Sequence, residues 1–193
     1  MSNTSTNVVS GKPLATGGIL IAPAGTAGPV DVSTAPDAAY IGAGYIGEDG
    51  VTEGGERSTE KIKAWGGDTV KIVQTEHSLT YSFSFIETLN ADVLKSIYGD
   101  SNVTTTAATV STGTIHKVLV TSDTLPHKAY VFEIKDGDAR IRIVVADGQI
   151  TEVGEITYSD SEVIAYTVTV ECFADSNGVK ATKFLDNGVF SGA

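Results

Sequence analysis

The chain has 193 residues, about two fifths of them apolar, which is enough for one sizeable core and favours one domain or at most two. Its 24 acidic against 13 basic residues give a formal net charge of −11, spread along the sequence, so a basic patch for ordinary nucleic-acid binding is not expected. A single cysteine, Cys172, excludes an internal disulfide and suits a reducing compartment. No apolar run approaches the roughly 20 residues of a membrane helix, and the polar, uncharged Met-Ser-Asn-Thr-Ser-Thr-Asn start lacks the basic n-region of a secretory signal, so a soluble protein beginning near Met1 is expected.

Residues 1–38 are rich in Ser, Thr, Gly, Ala and Pro and hold Pro13, Pro23, Pro29 and Pro36, four of the five prolines. This composition predicts an extended arm that becomes ordered only by lying on something else. A single β domain is expected over 39–186, with a short tail at 187–193.

Within the domain, Gly42-Ala43-Gly44-Tyr45-Ile46-Gly47 has the letters of a dinucleotide fingerprint but is followed by Glu-Asp-Gly rather than by a helix. A glycine-spaced strand is the better reading. Residues 47–68 are charged and glycine-rich and end near the only tryptophan, Trp65. They predict a long loop ordered by a partner, with the indole either a core anchor or an interface residue.

Period two then takes over. Leu79, Tyr81, Phe83 and Phe85 alternate with Ser78, Thr80, Ser82 and Ser84, and Ile164, Tyr166, Val168, Val170 and Cys172 alternate in the same way with Thr167, Thr169 and Glu171. Tyr130, Phe132 and Ile134 do so more briefly. Such half-buried strands pair antiparallel. Asp136-Gly137 and Asp147-Gly148 predict two hairpin turns, and Val70–Val73 and Val118–Val120 add short β-branched runs, for eight or nine strands in all. One helix is expected over about 90–98, with Asn90 as its cap, Asp92 in its first turn, Val93, Leu94 and Ile97 on its apolar face, and Gly99 at its C-terminal end. The fold class is therefore mainly β: an antiparallel sandwich or partial barrel with one short α-helix.

No catalytic constellation emerges. Ser58-Thr59-Glu60-Lys61 lacks the Lys-Thr-Gly that Ser-x-x-Lys enzymes require, and His77, His116 and His127 show no metal-ligand spacing. Asp136, Asp138, Asp147, Asp160 and Glu162 sit at turn signals without the spacing of an EF-hand. No cofactor is implied and no metal site is assigned, while a weak calcium site on the oxygen ligands of these turns stays open.

The stretches Asp37-Ala-Ala-Tyr-Ile-Gly-Ala-Gly-Tyr-Ile-Gly-Glu-Asp-Gly-Val, Lys61-Ile-Lys-Ala-Trp-Gly-Gly-Asp and Leu79-Thr-Tyr-Ser-Phe-Ser-Phe-Ile-Glu-Thr leading into Asn90-Ala-Asp-Val-Leu occur in an order that resembles the tail tube proteins of long-tailed, non-contractile phages of the siphophage type. The likeness covers roughly residues 37–186. It implies a structural virion protein that forms hexameric rings, stacked head to tail into a tube through which genomic DNA passes without specific binding. The implied partners are other copies of the chain, a tape measure protein and tail terminator and tip proteins, with no membrane, and the implied location is the virion tail, assembled in the host cytoplasm. Interface residues are expected among Tyr40, Tyr45, Glu48, Asp49, Glu53, Glu56, Arg57, Lys61, Lys63 and Trp65. Two other classes stay open: a secreted or surface adhesin-like sandwich, which requires a stable monomer and an export signal, and the tube protein of a contractile or secretion system.

Overall fold

The structure, a computed structural model, describes residues 4–14 and 18–191. Among these the elements in chain order are β1 (Lys12–Pro13), β2 (Ile19–Pro23), β3 (Ile41–Gly42), β4 (Ile46–Gly54), β5 (Arg57–Lys63), β6 (Thr69–His77), β7 (Thr80–Phe85), α1 (Ala91–Tyr98), β8 (Val103–Thr106), β9 (Ile115–Val118), β10 (Lys128–Asp136), β11 (Ala139–Val153), β12 (Tyr166–Cys172) and β13 (Thr182–Asp186). The strand count exceeds the eight or nine expected because several strands have only two to five residues, too short to show a period.

Nine strands form one antiparallel sheet with the path β3-β2-β10-β11-β12-β7-β4, to which β1 adds at β10 and β13 at β11. β11 organises it. Its N-terminal half pairs with β10 and β13 and its C-terminal half with β12. Between the two halves the register slips, so that the three steps from Val145 to Gly148 face the two from Tyr130 to Lys128. That extra residue is a β-bulge, which bends a strand and lets it pass from one layer to the next. Asp147-Gly148 is therefore not the hairpin turn its letters suggest. A Cβ on Gly148 would lie 3.0 Å from the Tyr130 ring and 2.9 Å from Val170, so the glycine here answers to packing at the bend. Asp136-Gly137 does make the expected turn: Asp136 pairs with Ala139, and Gly137 takes φ 60° at the first central position.

Bending at the bulge brings β10 across β7. The Tyr81 and Phe132 rings meet tilted by 33° with centroids 4.7 Å apart, and Phe83 meets Phe132 edge-on at 6.0 Å. The main core gathers Tyr81, Phe83, Phe85, Tyr130, Phe132, Val168, Val170 and Cys172 with Ile19 and Ile21 of β2. α1 closes it with Val93, Leu94 and Ile97, capped by Asn90, whose Oδ1 accepts from the Asp92 amide at 3.0 Å. The sheet does not close into a barrel. Its edges come near each other where Glu53 of β4 ion-pairs with Lys183 of β13.

Two departures concern the N-terminal segment. Residues 1–38 are not one arm awaiting a partner, because β2 is a core strand paired to β10, and β1 runs along the same edge of β10 with the Leu14 amide donating to the Glu133 carbonyl at 3.1 Å. Pro23 is compatible with this because it ends the strand. The segment 24–40 covers the outer face of β2, β10 and β11, where Ala22, Tyr40, Ala129, Val131 and Val144 form a second cluster. β10 is consequently buried on both faces, Val131 as fully as Phe132, and the expected wet face of Tyr130–Lys135 does not exist there. Residues 1–3 and 15–17 of the expected arm and 192–193 of the expected tail lie outside the described residues.

The third departure is 47–68. In place of a loop, β4 and β5 occupy most of it, and β5 pairs with β6 as a separate two-stranded sheet. Turn-like composition concealed a hairpin whose strands bear charges on both faces.

Candidate assembly surface

The hairpin β5–β6 continues from the β4/β7 pair, and at its root the Ser78 amide donates to the Glu56 carbonyl at 2.9 Å while the Glu56 amide donates to Ser78 Oγ at 2.8 Å. With seven and nine residues, its strands carry the tip about 23–30 Å from that root. At the tip Ala64–Asp68 closes through an Ala64 amide to Asp68 carbonyl bond of 2.8 Å, with Gly66 and Gly67 at φ 112° and 98°, values that a side chain would oppose. Small neighbours leave the Trp65 indole wholly exposed.

Both faces of the hairpin are mixed. Register places Lys61 opposite Ile72 and Ile62 opposite Lys71, so each face shows apolar and basic groups together. Ile62, Val70, Ile72 and Val73 are exposed along with Trp65. An isolated two-stranded hairpin is at best marginally stable in water. This one exposes five large apolar side chains together, a patch of the kind that in general marks an interaction surface.

The residues expected at an interface fall in three places. Glu56, Arg57, Lys61, Lys63 and Trp65 are on the hairpin, where Arg57 Nη1 donates to Gln74 Oε1 at 2.9 Å. Tyr45, Glu48 and Asp49 are exposed at the other end of β4. Tyr40 and Glu53 are internal contacts of the chain. Tyr40, at 9 % exposure, packs the end of the segment 24–40 onto Ala22, Ala129, Val131 and Val144, and Glu53 accepts from the Tyr81 hydroxyl at 3.0 Å beside Lys183. Burial, and then the Glu53 charge, push the Tyr81 phenol above its ordinary range, so it stays a proton donor to that carboxylate.

Sequence reasoning did not mark Ile62, Val70, Ile72 and Val73 as exposed. Val70–Val73 read only as a short β-branched run, and the opposition of Lys to Ile in the cross-strand pairs, visible once the partner strand is known, reveals that neither face is core. A second surface also emerges from pairing. On the face of β7 and β12 away from the core, Ser82 Oγ lies 3.1 Å from Thr169 Oγ1 and Ser84 Oγ 2.7 Å from Thr167 Oγ1, a ladder of hydroxyls across two strands.

Other chemistry is sparse. His127 Nδ1 is 2.6 Å from Asp147 Oδ1, His116 Nδ1 is 2.9 Å from Thr105 Oγ1, and the His77 carbonyl accepts from Lys180 Nζ at 2.7 Å. Among the described residues no three His, Cys, Asp or Glu side chains converge as a metal site would require, and no helix is long and apolar enough to cross a membrane. After Gly42-Ala43-Gly44 the chain enters β4 instead of a helix, so the glycines hold no helix N-terminus to a phosphate.

The family model of the phage tail tube protein matches residues 1–192. The chain belongs to the phage tail tube protein family. This tail tube protein is thus a structural component of a phage tail, of a family that builds tubes from copies of itself and is typically non-enzymatic. No curated protein matches it significantly. Among solved structures, it is similar to the tube-terminating cap of the anti-feeding prophage (8% identity, TM-score 0.48) and to a chain of the sheath–tube complex of an extracellular contractile injection system in its extended state (7% identity, TM-score 0.45). Each comparison covers 96% of this chain and 100% of the other.

Proposed function

We propose that this tail tube protein polymerises as hexameric rings stacked head to tail, forming the tube of a long, non-contractile phage tail that conducts genomic DNA at ejection. The observation that carries this reading is the hairpin β5–β6, which projects its apolar side chains where its own chain offers them no cover. A neighbouring copy supplies that cover, with Glu56, Arg57, Lys61, Lys63 and Trp65 on one side of the contact and Tyr45, Glu48 and Asp49 available on another. Tube assembly takes place in the host cytoplasm, with a tape measure protein inside and terminator and tip proteins at the ends.

The hydroxyl ladder of Ser82, Ser84, Thr167 and Thr169 suits a channel lining, being polar, small and without positive charge. Each copy brings a net charge of −11, and any share of it that faces the lumen repels phosphate, so that DNA slides without sticking. Electron micrographs of end-on purified assemblies test the stoichiometry: six-fold averages agree with the reading, and another symmetry contradicts it. Replacing lumen carboxylates with lysine is expected to slow genome ejection, and unchanged ejection from such virions refutes the sliding mechanism.

A further inference from the structure

We propose that the hairpin tip of one copy docks on the acidic, apolar end of another copy formed by Tyr45–Asp49, Leu89 and the loop 154–165, the end of the β4/β7/β12 layer opposite the hairpin root. This rests on the tube reading above and names the surface that receives the hairpin.

The topology sets the two surfaces at opposite poles. The hairpin leaves the layer at Gly54 and Thr80, which pair with each other. At the other pole Phe85 pairs with both Ile46 and Tyr166, the Gly154 amide donates to the Thr167 carbonyl at 2.8 Å, and the chain between Val153 and Tyr166 forms the loop. The segment before α1 lies at this pole too, where Glu87 Oε1 accepts from the Tyr45 amide at 2.8 Å.

Their chemistry is complementary. From Lys61 to Lys71 the tip has three lysines against Asp68 alone, a basic island in an acidic chain. From 143 to 179 there is no lysine or arginine at all, and Glu155, Asp160 and Glu162 are exposed in the loop, as are Glu48 and Asp49 beside it. Each pole also exposes large apolar groups: Trp65, Ile62 and Ile72 at the tip, Tyr45, Leu89, Tyr158 and Val163 at the receiving end. Apolar anchors ringed by opposite charges are the composition of a specific interface, and charge placed this way also fixes which end meets which. Because the two surfaces differ, the contact is heterologous. Repeated without closure, it generates an open filament of fixed polarity, which is what head-to-tail stacking needs.

The test uses the full chain. Lys61→Glu with Lys63→Glu, and separately Asp160→Lys with Glu162→Lys, are each expected to raise the concentration needed for polymerisation at least tenfold. All four changes in one chain restore the attraction with its sign inverted and are expected to bring that concentration back to within about threefold of wild type. Carbodiimide cross-linking of wild-type tubes is expected to join Lys61 or Lys63 to carboxylates of the 154–165 loop. All four substituted positions are exposed on the free chain, and an unchanged circular dichroism spectrum verifies that the variants fold. Wild-type-like polymerisation of the Asp160→Lys, Glu162→Lys chain, or tubes whose hairpin lysines cross-link only elsewhere or only to an added tail protein, overturns this contact and leaves the tube reading intact. A wild-type chain that never polymerises overturns the tube reading and this contact with it.

Discussion

Arg142, on the inner half of β11, ion-pairs with Glu133 of β10 at 2.6 Å while its other terminal nitrogen donates to the carbonyls of Asp31 and Thr34 at 2.5 and 2.6 Å. One buried guanidinium thus fastens the proline-rich segment 24–40 to the sheet. The same segment folds on itself at Asp31, whose carboxylate accepts from the Ser33 and Thr34 amides at 2.7 and 2.5 Å. Those bonds hold the Asp31 carboxyl well below the usual range, the backbone bond from Thr34 first.

Arg142→Met leaves Glu133 as a buried charge without its partner and is expected to cost about 3–5 kcal/mol in chemical denaturation. Adding Glu133→Leu removes the orphaned charge and recovers most of that loss. A double variant as unstable as the single one contradicts the pairing.

Gly148→Ala forces a Cβ against the Tyr130 ring and Val170 at the bend of β11. An expected loss of about 1–3 kcal/mol, by the ordinary cost of overpacking a close-fitted core, is measurable as a lowered denaturation midpoint. Gly113, with nothing within 4 Å of a built Cβ, is the control position, and its alanine variant is expected to match wild type within about 0.5 kcal/mol.

The Cys172 thiol is pushed up to about 12, by burial first, with the negative Glu171 and Glu53 adding to it and Lys180 opposing it. At pH 8 it stays protonated and inaccessible in the folded chain. A thiol-reactive dye is expected to label it at least a hundredfold faster in denaturant than in buffer, and equal rates contradict its place in the core.

Glu87 binds the Asn90 side chain at 3.0 Å and the Tyr45 amide, and these bonds, the Asn90 one larger, hold its carboxyl below the ordinary 4.5. The folded state therefore favours the charged form: its contribution is present above pH 4.5 and is lost as the pH falls through the lowered folded value. Thermal melts across pH 3–7 are expected to show a steeper acid decline for wild type than for Glu87→Gln, and parallel curves contradict this role.

Much of the fold was legible because single elements carried their own signals. Tyr81-Ser-Phe-Ser-Phe85 and Tyr166–Cys172 alternate as strands do, and Asn90, Asp92 and Gly99 mark the ends of α1 before any tertiary contact is known. What could not be read depends on partners distant in sequence. Asp147-Gly148 has turn letters, but β12 and β10 pair on both sides and hold it inside β11. β2 hides among prolines because five residues show no period, and only Tyr130 and Phe132 across the strand pair make Ile19–Pro23 a core element. Residues 57–63 carry charge on both faces of the hairpin, which is why β5 lay hidden in the loop expected over 47–68.

The central claim is that the exposed hairpin is completed by other copies of the same chain, and the most direct measurement is electron microscopy of the purified protein across a concentration series, beside a variant in which 57–77 is replaced by a short glycine linker. Hollow tubes from the intact chain and only discrete particles from the folded variant are the predicted result. Single particles from the intact chain under every assembly condition, or equally good tubes from the variant, contradict it.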